Sequence, residues 1–61
     1  MTKKEIKKLK DGIKKVTDLE DKRAICQEFN DLIKGPHNFK IMSKEEVEGA
    51  FEQIKEVIAR V

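Results

Sequence analysis

Few residues in this chain can do chemistry. There is one histidine, His37, one cysteine, Cys26, and a surface of fourteen lysines and arginines set against twelve carboxylates. A single imidazole and a single thiol make a zinc site improbable, and one cysteine cannot form an internal disulfide. Cys26 has apolar neighbours, so it reads as a small buried thiol rather than a nucleophile or a ligand. No glycine-rich phosphate loop and no nucleophile motif is present, and the carboxylates fall at spacings expected of solvated helix faces. These absences point away from an enzyme, and no cofactor or metal is implied.

Two groupings remain. The first is "GPHNFKIM", residues 35 to 42, which holds the only proline and the only histidine. One expectation is structural: Phe39, Ile41 and Met42 cover the end of a core, Pro36 stiffens the turn, and His37 and Asn38 supply local hydrogen bonds. The other is functional: His37, Asn38 and Lys40 offer donors around Phe39, which would stack on a planar base or anchor a protein partner, with Arg23 and Arg60 as anion contacts. The second grouping is a run of seven lysines between Lys3 and Lys15, opposed only by Glu5 and Asp11. Lys3, Lys7, Lys10 and Lys14 form a candidate anion-binding face. The plainer reading of the same lysines is a solvated face that complements the acidic helices that follow.

Neither grouping matches duplex recognition. The second and third helical segments present Glu28, Asp31, Glu48 and Glu52 where a reading helix would carry basic or amide side chains. The basic segment has no aromatic platform for single strands and none for a membrane surface. Nonspecific phosphate contacts stay open. No run is long and apolar enough to span a bilayer, and no apolar leader opens the sequence, so a cytoplasmic protein with no membrane partner is expected.

The elements that must position these residues are helices. Three Ser or Thr residues are followed three positions later by Glu, in "TKKE" at 2 to 5, "TDLE" at 17 to 20 and "SKEE" at 43 to 46, the pattern of a capping box. Apolar residues before two of these caps add staples, Met1 with Ile6 and Met42 with Val47. Apolar seams follow at Ile6, Leu9, Ile13 and Val16, at Ile25, Cys26, Phe29, Leu32 and Ile33, and at Val47, Phe51, Ile54, Ile58 and Val61. The broader second stripe suits a helix with two neighbours. Gly12 lies beside the first seam, where it would let another helix approach closely. Gly35 and Pro36 end the second helix, with glycine expected in the left-handed position. Glu56 with Arg60, Asp11 with Lys15 and Asp18 with Lys22 sit at ion-pairing separation.

The predicted fold is all-α. It is a single domain over residues 1–61, a small three-helix bundle with a short basic helix at about 3–16 and a helical hairpin from 18–34 and 44–60 around a loop at 35–42. Ala50, Val57, Cys26 and Ile33 widen the stripes beyond what so small a core readily covers, so homo-oligomerisation is expected to complete it. For function two readings follow. One is a non-enzymatic regulator or inhibitor that binds another protein through a helical face and the 35–42 loop. The other is an oligomer that captures a phosphorylated or nucleotide-like anion, or nonspecific nucleic acid.

Overall fold

The computed structural model describes residues 2–61, and the described chain is three helices: α1 (Lys3–Lys15), α2 (Leu19–Leu32) and α3 (Lys44–Ala59). The expected Met1–Ile6 staple lies outside the described residues. Thr2 opens α1 with a complete capping box, its hydroxyl accepting from the Glu5 amide at 3.2 Å while Glu5 accepts from the Thr2 amide at 2.7 Å. Those bonds to Thr2, its backbone amide first, hold the Glu5 carboxyl below its ordinary range. Ser43 opens α3 by accepting from the Glu46 amide at 3.3 Å. There the Glu46 carboxylate takes the Ser43 hydroxyl rather than its amide.

The second cap falls one residue later than expected. Asp18, not Thr17, receives the Asp21 amide at 2.9 Å. Asp21 reaches back to both the amide and the hydroxyl of Thr17, at 3.3 and 3.1 Å. A carboxylate at the cap combines hydrogen bonding with attraction to the helix dipole, and so outcompetes the neighbouring hydroxyl. With Val16 and Asp18 both extended, the α1–α2 junction is a sharp corner rather than a bent continuous helix.

That corner folds α1 back along α2. Lys8 pairs with Glu28 at 3.4 Å, and one turn further on Gly12 faces Ile25, a register in which the two helices run antiparallel. A Cβ on Gly12 would stand 2.6 Å from Ile25 Cδ1, so the absent side chain is what admits the neighbour. α2 packs against both other helices, as its wide stripe predicts, and shares its larger interface with α3.

The core is Leu9 from α1, Ile25 and Cys26 from α2, Phe39 from the connection, and Val47, Phe51, Ile54 and Ile58 from α3. The α3 seam matches the sequence pattern up to Ile58. Arg60 caps α3, which leaves Val61 beyond the helix and 61% exposed. Cys26 is fully buried, so it is not a surplus edge residue, whereas Ile33 and Val57 remain about half exposed. Burial raises the Cys26 thiol to about 11.

Of the expected ion pairs, Arg60 meets Glu56 at 3.0 Å. Asp11–Lys15 and Asp18–Lys22 are not among the ion pairs of the described residues. Asp18 is committed to its cap, and Lys22 turns to Glu48 at 3.6 Å and over the Phe51 ring at 5.6 Å.

The end of α2 also differs in detail. Ile33 is the cap, the Lys34 amide donates to Asp31 O at 3.2 Å, and the Gly35 amide donates to Asn30 O at 2.8 Å, which is a Schellman closure. The left-handed residue is Lys34, at φ 56°, not Gly35. Gly35 is needed for a different reason: a Cβ there would collide with the Asn30 side-chain oxygen.

Candidate functional site

From Ile33 to Ser43 the chain runs back along α2, and three polar side chains at positions i, i+4 and i+7 of that helix hold its backbone. Asn30, 3% exposed, donates from Nδ2 to the carbonyls of Gly35 (3.1 Å) and His37 (2.9 Å) and accepts from the His37 amide at 3.3 Å. Gln27 accepts from the Phe39 amide at 2.9 Å and braces itself on Asp31 at 3.0 Å. Arg23 donates through Nη1 to the carbonyls of Phe39 (2.6 Å) and Met42 (2.8 Å). Each tether satisfies backbone groups that a loop packed on a core would otherwise leave unpaired.

This row fixes the roles of the residues singled out from the sequence. Phe39 is 4% exposed and belongs to the core, so its ring is not open to a stacking base. Met42 also packs on the core, but Ile41 points the other way and is 82% exposed, against the expectation that it helps to cover the core. His37 is exposed, its ring inclined to that of Phe39 in an edge-type contact with centroids 5.9 Å apart. Asn38 receives the Lys40 amide at 3.1 Å and makes the local turn.

Lys40 lies beside Glu20, Glu28 and Asp31 in a shallow depression. The Arg23 guanidinium is occupied by carbonyls, and Arg60 is at the far end of α3. The structure therefore brings His37, Phe39 and Arg23 together, but as parts of the loop's scaffold. The lysine face does not form one cradle either. Lys10 donates to the Val61 carbonyl at 3.0 Å and with Lys14 adjoins the end of α3, whereas Lys7 adjoins Asp11 and Glu28 on the α2 side. Lys3 is exposed at the start of α1.

What the sequence reading missed is a groove of about 520 Å³ between the second half of α2, the connection and the first half of α3. Phe39 and Ile54 form its floor, with Phe29, Met42 and Ala50 as walls and the half-exposed Ile33 at its edge. Gly49 leaves one side open, since a Cβ there would meet nothing within 4 Å. Exposed Glu45 and Glu46 stand at the mouth, and neither is ion-paired among the described residues. The groove is thus apolar within and acidic at its lip. A signal for it existed in the polar 4–3 spacing of Arg23, Gln27 and Asn30 beside the apolar stripe, which marks a flank of α2 facing backbone.

Among the described residues no helix is long and apolar enough to cross a membrane. Comparison with known proteins finds no matching family model, no significantly similar curated protein and no significantly similar solved structure.

Proposed function

We propose that this chain is a small non-enzymatic interaction protein, a regulator or inhibitor that holds a segment of another protein in the α2–α3 groove. The observation that carries the reading is the combination of an open apolar trough with a rim whose backbone is tethered at six points by Arg23, Gln27 and Asn30. A preorganised site binds without first ordering its own loop, and a concave apolar surface ringed by polar groups suits a peptide anchor. The unpaired carboxylates at the lip favour an occupant with an aliphatic anchor flanked by lysine or arginine.

The competing reading, capture of a phosphorylated or nucleotide-like ligand or of nucleic acid, keeps the α1 lysines and the exposed His37 but loses Phe39, which is interior, and Arg23, which is engaged. It predicts binding that weakens steeply with salt.

A displayed peptide library panned on the folded protein tests the groove reading. Peptides with one aliphatic residue beside basic ones should be enriched, and Gly49→Gln should remove that enrichment. This substitution extends a side chain over the trough while improving helix propensity, so the fold persists. Enrichment that is indifferent to Gly49→Gln, or that selects acidic peptides, would reject it.

A further inference from the structure

We infer that a second trough, between α1 and α3, binds an acidic segment of another protein, a bulky apolar side chain flanked by aspartate or glutamate. The inference goes beyond the α2–α3 groove and does not depend on it. Ile13, Ile58 and Ala59 floor a depression of about 340 Å³, and its rim is Lys10, Lys14 and Lys55. No carboxylate of the described residues lines it.

A merely solvated face would mix its charges. α3 carries five carboxylates and two lysines, yet the charged residue it places at this rim is Lys55. None of the three lysines is ion-paired among the described residues, and Lys10 donates only to the Val61 carbonyl. The α1–α2 flank does complement itself: Asp11 and Glu28 stand among its lysines, and Lys8 is paired with Glu28. Like charges gathered around one apolar dent repel one another, and carboxylates set between them remove that cost.

The occupant must satisfy the floor as well as the rim. Ile13 is half-buried and Ala59 is exposed, so apolar surface is left to water beneath the lysines. Inorganic phosphate would leave that surface wet. A nucleic-acid strand would find no aromatic platform for its bases, and a membrane no aromatic anchor. An apolar side chain in the dent, with carboxylates on the ammonium groups, answers both, and the lysine stems extend the apolar contact. Lys55 and Ala59 lie on the other flank of α3 from Glu46, Gly49 and Gln53, so two troughs of opposite rim charge can be filled together.

The test is titration of the full chain with the peptide Glu-Glu-Leu-Glu-Glu, read by amide chemical shifts. Shifts are expected at Ile13, Lys14, Ile58 and Ala59. Replacing the peptide's leucine by serine should weaken binding by at least about tenfold, and so should Lys14→Glu combined with Lys55→Glu in the protein. Both lysines are exposed, so the doubly substituted chain keeps its thermal transition. Gly49→Gln should change nothing.

No binding, or binding indifferent to the leucine or to the two lysines, would overturn the assignment. Displacement of the peptide by a single-stranded oligonucleotide at lower concentration would overturn it in favour of a phosphate partner. Panning the peptide library on the doubly substituted chain keeps this trough apart from the other, because its ligands are then lost. Acidic peptides still enriched there count against the α2–α3 groove and leave this assignment standing.

Discussion

The two connections between helices solve the same problem by opposite means. At the α1–α2 corner every stabilising bond is local, made by Asp18 and Asp21 to atoms no more than four residues away. Between α2 and α3 the bonds come from α2 side chains up to nineteen residues away, and they pin backbone rather than cap a helix. The first connection is a tight corner that only turns the chain. The second is a wall, and a wall can border a binding site. The length of the second connection is used to build the groove's rim, and its rigidity is supplied from outside it.

If its tethers hold the long connection, cutting one of them should cost more than losing the cap at the corner. Asn30→Ala removes three part-buried hydrogen bonds and the side chain that holds the Gly35 and His37 backbone, so chemical denaturation should report a loss of about 2–3 kcal/mol. The corner should be less sensitive: Asp18→Ala loses one cap and is expected to lower stability by about 1 kcal/mol in the same measurement. A larger loss at Asp18 than at Asn30 would reverse the ranking of the two connections.

A finer effect is expected where the long connection begins. Lys34→Gly relieves a left-handed backbone at a non-glycine residue and should raise the midpoint of unfolding by about 0.5–1 kcal/mol equivalent. The smallest effect concerns a purely local device elsewhere, the Thr2–Glu5 box. Because folding lowers the Glu5 pKa, its contribution is present above the ordinary carboxyl range and lost as pH falls through the lowered value. Amide exchange at Thr2 should quicken, relative to the intrinsic rate at each pH, only in that acid window, with no change at neutral pH.

How much was legible in the sequence follows the same division. The Thr2 and Ser43 caps, the seams of α1 and α3, and the close approach at Gly12 are encoded by neighbours within a turn or two, and they were readable. Thr17 was misread because an adjacent carboxylate competes for the same amides, and Gly35 because the left-handed turn falls on Lys34 while glycine answers a side-chain clash. Phe39 and Ile41 look alike in a list of apolar residues, yet one is core and the other is solvated. Which way each points is decided by Gln27 and Arg23, far off along the chain. The groove is marked in the sequence only by the spacing of Arg23, Gln27 and Asn30 for that reason: its walls are known only once the tethers are.

Since the long-range side-chain tethers on the 33–43 segment start from Arg23, Gln27 and Asn30 of α2, the stretch from Arg23 to Met42 carries its own wiring. Contacts of such short span close quickly, so this stretch is expected to organise before the two flanking helices dock on it. Pulse-labelled exchange during refolding would then find the Phe39 and His37 amides protected ahead of those in α1. One wall of the groove would thus form before α3 arrives to complete it.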